Sequence, residues 1–290
     1  MGGGNCFSPP IFLEVIMSLF ICPVCKKQLN FENKTAYCEN GHSYDVSKQG
    51  YVNLLPPNKR HSQNPGDSKE MVLSRRQFLE GKKYDCFSDK INQLVIELLG
   101  NRQNITILDW GCGEGYYDGR LTENLEKLNI NYSLYGFDIS KNAVRFGAGK
   151  YKNLHLAVGS CYDAPLKSNS FDVVLNVFAP MVESEICRCL KNGGYLIYAV
   201  PGKNHLMGIK KVLYENTYEN TVKHTEYEGF EFVKRYSVND VIEVEGEELK
   251  NLFTMTPYYY KSEKNATEKL LKNGKIKTEI EFDFLIYKKI

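Results

Sequence analysis

Residues 105–115, which read ITILDWGCGEG, decide the fold of this 290-residue chain. The run ITIL has the length and the β-branched composition of a short buried strand. The glycines that follow at alternate positions form a turn in which the backbone at a strand–helix junction can approach a bound cofactor closely. This stretch therefore predicts the first strand of a cofactor-binding α/β domain.

Strand and helix signals alternate on the C-terminal side of this turn. Predicted strands cover 105–108, 132–137, 154–159, 171–178 and 195–200, and predicted helices cover 119–128, 141–150, 181–190 and 205–214. Such alternation is typical of a parallel, Rossmann-like sheet wrapped by helices. Two later runs, at 230–237 and 276–287, read as long strands, and the last one predicts an antiparallel addition to the sheet.

Two carboxylates near the glycine turn indicate which cofactor the domain takes. Asp109 ends the first strand, where it can accept a hydrogen bond from an α-ammonium, and Asp138 ends the second, where it can bind both ribose hydroxyls. A pyrophosphate would be repelled by Asp109 and Glu114. S-adenosylmethionine carries an ammonium and a sulfonium but no phosphate, so the sequence favours it over NAD.

Four potential metal ligands lie near the N-terminus, at Cys22, Cys25, Cys38 and His42. Two cysteines three residues apart form a knuckle that binds Zn²⁺, and the second pair completes a tetrahedron of three thiolates and one imidazole. Because protein ligands fill all four positions, the pattern predicts structural rather than catalytic zinc. The chain has nine cysteines in all, and they lack the spacing of a disulfide framework. The cysteines outside the zinc set therefore indicate reduced thiols in a cytoplasmic protein.

The overall composition is that of a globular protein, with 42% hydrophobic residues and a net charge of +2. Charge is uneven locally, because residues 18–60 hold six Lys or Arg against three acids, and Arg75, Arg76, Lys82 and Lys83 follow. This basic front favours a phosphate-binding face, although arginines in a helix also serve as internal ion-pair partners. No apolar run approaches the roughly 20 residues of a membrane span, so no membrane association is predicted.

Motifs along the chain go beyond these general signals. They are CPxC at 22–25 with Cys38 and His42, GYVNLLP at 50–56, GDSxEM at 66–71, RRxFL at 75–79, GCGEGYY at 111–117, AP at 179–180 and PGxxHLM at 201–207. On these motifs the chain resembles the bacterial 23S rRNA guanine-N1-methyltransferases, which modify a hairpin lining the peptide exit tunnel. The resemblance runs from Phe20 to the C-terminus.

The resemblance implies methyl transfer from S-adenosylmethionine to N1 of a guanine in that hairpin. It also implies a homodimer whose zinc domains help to form an RNA-binding cleft. The residues expected at the cofactor are Tyr84, Asp109, Gly111, Gly113, Glu114, Gly115, Asp138, Ser160, Cys161 and His205. Asn176 and the main chain at Pro180 are candidates for positioning the base, and Phe178 is a candidate for stacking. Trp110 replaces a small aliphatic residue of the family, which predicts a narrower cofactor pocket.

Four segments follow from these predictions. Residues 1–16 read as a leader or an added extension, 17–55 as a zinc-binding RNA-recognition domain, 56–100 as a linker with helices at 69–79 and 89–99, and 101–290 as the methyltransferase domain. Two other interpretations remain open: a small-molecule methyltransferase with an accessory zinc knuckle, and a non-catalytic RNA-binding protein with a methyltransferase-like fold. The Asn-, Lys- and Tyr-rich composition indicates an AT-rich genome, which slightly favours a target of the macrolide-resistance type.

Overall fold

Three short antiparallel strands form the N-terminal module of the computed structural model, which describes residues 19–57, 65–221 and 226–290. They are β1 (Asn30–Glu32), β2 (Thr35–Tyr37) and β3 (Ser43–Asp45), paired in sequence order. Asn33 and Lys34, both with positive φ, make the tight turn between β1 and β2. The predicted leader at 1–16 and Cys6 lie outside the described residues.

An eight-stranded mixed sheet organises the rest of the molecule. Its strands are β4 (Val52–Asn53), β5 (Ile105–Trp110), β6 (Tyr132–Asp138), β7 (Leu154–Val158), β8 (Phe171–Val177), β9 (Leu190–Pro201), β10 (Phe230–Glu245) and β11 (Lys275–Lys289). Their order is β10-β11-β9-β8-β5-β6-β7-β4. Neighbours from β4 to β9 run parallel, whereas β11 and β10 are antiparallel, which confirms the predicted antiparallel addition.

Both faces of the central parallel strands β5, β6, β7 and β8 are buried, which explains why these strands read as nearly continuous apolar runs, whereas the edge strand β10 is largely exposed. The helices of the described residues are α1 (Lys69–Glu80), α2 (Asp85–Leu99), α3 (Tyr116–Lys127), α4 (Lys141–Lys150), α5 (Glu183–Cys189), α6 (Met207–Leu213), α7 (Gly246–Thr254), α8 (Tyr258–Lys261) and α9 (Lys264–Lys272). Along β5 the side chains alternate between two cores. Ile107 belongs to the core that includes α2, α3, α4 and α6, and Leu108 to the core that includes α5 and the N-terminal module.

The N-terminal module is joined to the sheet by backbone pairing as well as by a shared core. Strand β4 pairs with β7, and the Ile21 amide donates to the Pro165 carbonyl at 3.0 Å. Phe20 and Leu29 of the module are buried in the same cluster as Trp110. The predicted zinc domain at 17–55 therefore ends with a strand that belongs to the main sheet.

Most predicted elements lie within a few residues of their predicted bounds. The Ser68 hydroxyl accepts a hydrogen bond from the Met71 amide at 3.2 Å, which confirms the predicted N-cap of α1. Helix α2 begins at Asp85 instead of residue 89, and β9 begins at Leu190 instead of residue 195. Helices α7, α8 and α9 are not among the predicted elements. No described helix is both long and apolar enough to cross a bilayer.

Candidate functional site

The four predicted zinc ligands converge on one point. The ligand atoms of Cys22, Cys25, Cys38 and His42 all lie within 4.8 Å of one another. The Cys25 and Cys38 sulfurs are 3.5 Å apart, and His42 Nδ1 is 3.3 Å from the Cys38 sulfur and 3.6 Å from the Cys22 sulfur. A tetrahedron with Zn–S bonds of ~2.3 Å has edges of about 3.8 Å, so the cluster fits a four-coordinate structural Zn²⁺ ion.

Groups around the cluster favour the thiolate form of Cys22, the form that binds zinc. The Tyr44 hydroxyl lies 3.1 Å from the Cys22 sulfur. Burial alone would raise the pKa of Cys22, but hydrogen bonds from Tyr44 and from the backbone at Cys25 and Val24 lower that pKa to about 6. The module therefore presents a metal site whose outer partners already stabilise the bound form of a ligand.

The glycine turn follows β5 and leads directly into α3. Gly111 has a φ of 79°, and a Cβ there would lie 2.6 Å from the Cβ of Ala179, so the chain requires glycine at this position. Gly113 has a φ of 55° and open space where its Cβ would stand. Gly115 is the N-cap of α3. The turn thus presents bare backbone at the carboxyl ends of the parallel strands, where ligands bind in sheets of this kind.

Asp138 braces this turn from the end of β6. One carboxylate oxygen accepts from the Gly113 amide at 3.0 Å, and the other accepts from the Ser140 amide at 2.7 Å. Burial raises the pKa of Asp138, and these two backbone hydrogen bonds oppose the rise. Because each carboxylate oxygen has two acceptor positions, the group keeps capacity for the hydroxyls of a ribose.

Two further carboxyl groups lie at the base of the turn. Asp109, which is 2% exposed, and Asp118 of α3, which is wholly buried, interact with each other, and neither oxygen of Asp118 has another hydrogen-bond partner among the described residues. Asp109 Oδ1 and Glu114 Oε1 accept no hydrogen bond from any described residue. Buried oxygens without a donor are rare in folded proteins, so they indicate a bound group that supplies one. The ammonium of S-adenosylmethionine fits this requirement, because it brings both a positive charge and donors.

Glu114 is held by a basic residue of α1. Its Oε2 atom accepts from Arg76 Nε at 2.7 Å and lies 2.6 Å from Arg76 Nη2. Burial raises the pKa of Glu114, although the ion pair with Arg76 opposes that rise. The guanidinium also lies over the Phe146 ring, 4.9 Å from its centroid. Arg76, predicted as an RNA contact, is therefore an internal partner of the glycine turn.

Two of the other three predicted RNA contacts also have partners among the described residues. Arg75 forms an ion pair with Asp67 at 2.5 Å. The Lys83 ammonium donates to the Glu243 carbonyl at 2.9 Å. Lys82 is exposed and stands at a backbone position with a φ of 64°. The structure thus favours the internal ion-pair interpretation for the two arginines.

Tyr84 and His205, far apart in sequence, meet next to Phe282. Tyr84 Oη lies 3.4 Å from His205 Nε2, and both side chains are buried. The Glu281 amide donates to His205 Nδ1 at 3.2 Å, so the neutral ring carries its hydrogen on Nε2, directed at Tyr84. Burial lowers the pKa of His205 to about 3, so the ring is neutral at physiological pH. The Tyr84 hydroxyl can then donate its own hydrogen to a ligand.

Ser160 and Cys161 follow β7 on the same edge of the sheet. The Ser160 hydroxyl accepts from the Tyr162 amide at 3.3 Å. Burial raises the pKa of the half-buried Cys161 thiol to about 12, and the charge of Asp138 adds to the rise. These two residues therefore offer a hydroxyl and a neutral thiol close to the carboxylate that ends β6.

Asn176, the second-last residue of β8, is wholly buried, and its amide is used within the protein. Its Oδ1 accepts from the Ala179 amide at 3.2 Å, and its Nδ2 donates to the Pro180 carbonyl at 3.4 Å. The Pro180 carbonyl also accepts from Trp110 Nε1 at 3.1 Å. The two residues predicted to position the base thus hold each other, and Asn176 shapes the turn that follows β8.

The prediction that Trp110 narrows the cofactor pocket is wrong. Its side chain is wholly buried on the face of β5 that meets the N-terminal module, where it packs edge-on against Phe137 with centroids 4.9 Å apart. Successive side chains of a strand point to opposite faces, so the Trp110 ring points away from the face of Ile107 and Asp109. Its contribution to the site is the indole N–H that anchors Pro180.

Phe178 is the exposed part of the turn after β8. Its side chain is 45% exposed, and its φ of 57° lies in the left-handed region, which costs a non-glycine residue about 1 kcal/mol or more. The ring stacks on Phe87 with centroids 5.4 Å apart and planes 16° apart. The surrounding turn therefore holds a strained backbone that presents an aromatic ring at the mouth of the site.

Together, a Rossmann-like sheet, a glycine turn flanked by buried acids and a four-ligand zinc module define an S-adenosylmethionine-dependent methyltransferase with structural zinc. Comparison with family models agrees. Residues 20–63 match the zinc-ribbon model described as "RlmA, N-terminal", and residues 101–273 match the model described as "Methyltransferase domain". The second match covers more than half of the chain, and the chain belongs to this methyltransferase family.

One curated relative aligns with nearly the whole chain, and another aligns with about two thirds of it. The putative 23S rRNA (guanine-N(1)-)-methyltransferase YxjB of Bacillus subtilis is 28% identical over 94% of this chain and 98% of its own length. The 23S rRNA (guanine(748)-N(1))-methyltransferase of Streptomyces fradiae is 33% identical over 64% of each chain. Among solved structures, the YcgJ protein of Bacillus subtilis superimposes with a TM-score of 0.45 at 12% identity, over 68% of this chain and 97% of that one.

Proposed function

We propose that this protein transfers a methyl group from S-adenosylmethionine to N1 of a guanine in a 23S rRNA hairpin near the peptide exit tunnel. The observation that carries the proposal is the similarity to YxjB over nearly the whole of both chains, zinc module included. The buried acids at the glycine turn support the cofactor, and the exposed ring of Phe178 supports a planar acceptor.

The reaction requires a deprotonated acceptor. Guanine N1 carries a proton at neutral pH, and this proton leaves before or while N1 attacks the methyl carbon. S-adenosylmethionine supplies that methyl group on a positively charged sulfur, and the neutral thioether that leaves with the electrons of the broken carbon–sulfur bond is a good leaving group. Asp109 is buried at the base of the turn and His205 is neutral with Nδ1 already bonded, so neither is placed to take the N1 proton. We infer that solvent takes it, and that the rate comes from holding N1 in line with the methyl group.

The turn after β8 is suited to hold the base. A base must leave its stack before its N1 edge can be methylated, and loop bases of a hairpin leave it at the lowest cost. Phe178 offers a ring for stacking, which contributes on the order of 1–3 kcal/mol for a base. Asn176 and Trp110 both donate to the Pro180 carbonyl oxygen, so that oxygen is used within the protein and the turn that would meet the base is held in one conformation.

Basic side chains suited to bind the RNA backbone line a cleft between the N-terminal module and α4. This cleft has a volume of about 400 Å³ and is lined by Gln49, Arg76, Arg145, Phe146, Gly149 and Lys150. Arg145 is exposed, whereas Lys150 forms an ion pair with Glu80 at 2.7 Å. We propose that Arg145 and Lys82 contact phosphates directly, and that Arg75, Arg76 and Lys83 contribute mainly by fixing the surrounding helices.

The assembly and location of the protein are further parts of the proposal. We propose a homodimer that acts in the cytoplasm, because the resemblance implies a cleft formed with the zinc modules of both subunits. Light scattering of the zinc-loaded protein measures the mass directly. A monomer that methylates the hairpin at the full rate would contradict the dimer. Macrolide susceptibility of a deletion strain tests whether the modification confers resistance.

The deciding experiment incubates the purified protein with labelled S-adenosylmethionine and the isolated 23S rRNA hairpin. We expect one methyl group per hairpin and a stop in primer extension at the modified guanine, because N1-methylguanine blocks base pairing. A hairpin already methylated on N1 of that guanine is the control and should accept no label. Transfer to small molecules alone would support the small-molecule alternative, and cofactor binding without any transfer would support the non-catalytic one.

The RNA contacts have their own test. Each phosphate that a cation neutralises adds about 0.7–0.9 to the slope of log affinity against log salt concentration. We expect Arg145→Ala to reduce that slope by nearly one and to leave cofactor affinity unchanged. Lys272→Ala, which removes an exposed cation from α9, is the matched control and should leave the slope unchanged.

A further inference from the structure

The carboxyl group of Asp118 has no role in the chemistry above, although it contacts Asp109 at the base of the cofactor site. Asp118 lies in the first turn of α3 and is wholly buried, and Asp109 is 2% exposed. No amide, hydroxyl or basic side chain of the described residues donates to Asp109 Oδ1 or to either oxygen of Asp118. Among the residues that the structure describes, the two buried carboxyl groups therefore have only each other as partners.

The other ionisable groups that face this pair bring no positive charge. They are Asp138 at the end of β6, the Cys112 thiol in the turn, the Cys161 thiol after β7 and the Tyr117 hydroxyl of α3. No ion pair among the described residues includes Asp109 or Asp118. Two carboxylates in contact repel each other and both lose their hydration, so such a pair holds one proton at neutral pH.

We propose that Asp118 carries this proton and donates it in a hydrogen bond to Asp109, which remains a carboxylate directed at the ammonium of the cofactor. The pair then carries a single negative charge that matches a single ammonium. The hydrogen bond from Asp118 fixes the plane of the Asp109 carboxylate and leaves Oδ1 for the ligand. Asp118 is thus a positioning residue. This inference rests on the cofactor and is independent of the RNA substrate proposed above.

The electrostatics of the two groups agree with this placement of the proton. Burial and the charge of Asp109 raise the pKa of Asp118 well above its ordinary value. Burial also raises the pKa of Asp109, but the hydrogen bond from Asp118 opposes that rise. Asp118 is also the more deeply buried of the two, wholly buried against 2% exposed for Asp109, so the proton belongs on Asp118 and Asp109 is the group that ionises first.

Two substitutions of Asp118 by side chains of similar shape distinguish the effect of its hydrogen bond from the effect of its packing. Asp118→Asn keeps a donor towards Asp109 and cannot ionise, whereas Asp118→Leu keeps the branched shape and removes the donor. By calorimetry at pH 7.5 we expect Asp118→Asn to bind S-adenosylmethionine within about threefold of the wild type. We expect Asp118→Leu to bind about tenfold to hundredfold more weakly, as for the loss of a hydrogen bond to a charged group.

The pH dependence gives a readout that packing alone would not change. Without its donor, Asp109 has a higher pKa and is protonated at a higher pH. The affinity of Asp118→Leu should therefore begin to fall at a higher pH on acidification than that of the wild type or Asp118→Asn. Equal affinities and equal pH profiles for Asp118→Asn and Asp118→Leu, both with unchanged zinc content, would overturn the proposal.

Infrared difference spectroscopy detects the proton itself and does not depend on activity. The spectrum of the wild type minus that of Asp118→Asn should show the carbonyl band of a protonated buried carboxyl group, with and without S-adenosylmethionine. Binding calorimetry in buffers of different ionisation enthalpy should show no proton released at pH 8. Absence of the band, or release of about one proton on binding, would refute the proposal even if the leucine variant does not fold.

Discussion

Replacement of Asp138 tests the cofactor site most directly, because this carboxylate supports the glycine turn and is proposed to bind the ribose. Asp138→Ala removes two backbone hydrogen bonds, from Gly113 at 3.0 Å and from Ser140 at 2.7 Å. It also removes the two proposed bonds to the ribose hydroxyls. Hydrogen bonds to a charged group contribute about 1.5 kcal/mol each, so the lost ribose contacts amount to roughly 3 kcal/mol, or about a hundredfold in affinity.

The free energy of unfolding of the cofactor-free protein should fall by less than the roughly 3 kcal/mol that two hydrogen bonds to a charged group contribute. Burial already raises the pKa of Asp138, so removing the carboxylate also relieves an unfavourable desolvation. We expect a loss of about 1–2 kcal/mol in the free energy of unfolding, measured by chemical denaturation, and a hundredfold loss of S-adenosylmethionine affinity, measured by calorimetry.

Asp172 offers a matched control at the amino ends of the parallel strands, opposite to the cofactor site. Near the start of β8, its carboxylate accepts from the Thr106 amide and hydroxyl, both at 2.9 Å, and from Lys191 at 2.8 Å. Asp172→Ala should therefore cost comparable stability and leave cofactor affinity unchanged. Wild-type affinity in Asp138→Ala, or an equal loss of affinity in both variants, would refute the ribose assignment.

Three other predictions concern the zinc module, the turn after β8 and the buried histidine. Cys38→Ser should lose the one Zn²⁺ per chain found by elemental analysis and should melt at a lower temperature, whereas Cys187→Ser, outside the cluster, should keep its zinc. Trp110→Phe keeps a ring in the core and removes the donor to Pro180, so the rate of methyl transfer should fall several-fold while cofactor affinity stays the same. Because burial lowers the pKa of His205 to about 3, its ring proton signals should not titrate between pH 8 and pH 5 in nuclear magnetic resonance spectra, and a midpoint near pH 6.5 would contradict the burial of this side chain.

The parts of the molecule that could be predicted are those that local sequence specifies. The spacing of the zinc ligands and the glycine turn are short patterns whose geometry follows from a few neighbouring residues. The buried strands can be predicted from their apolar runs. The start of β9 could not be predicted, because Gly193 and Gly194 read as a turn between a helix and a strand. In the structure the strand runs through both glycines, with a shift of register between Phe171 and Val173 of β8.

Features that depend on distant residues could not be predicted in the same way. The contact of Asp109 with Asp118 requires the folded turn and the first turn of α3, and neither acid is marked in the sequence as having a partner. The internal ion pairs of Arg75 and Arg76 depend on Asp67 and Glu114, which only the packing of α1 brings close. Trp110 is ambiguous from sequence, because its side chain faces the pocket or the core according to where the strand ends.

The pairing of β4 with β7 determines the order in which parts of the chain can fold during synthesis. Val52 pairs with Ala157, which leaves the ribosome about a hundred residues later. The zinc ligands emerge first and together, so the metal can fold the small module while its docking strand does not yet exist. Until then Phe20 and Leu29 lack the sheet residues that bury them in the finished protein. Chains truncated before Leu154 should therefore bind zinc and still be retained by chaperones that recognise exposed apolar surface, and full-length chains should not.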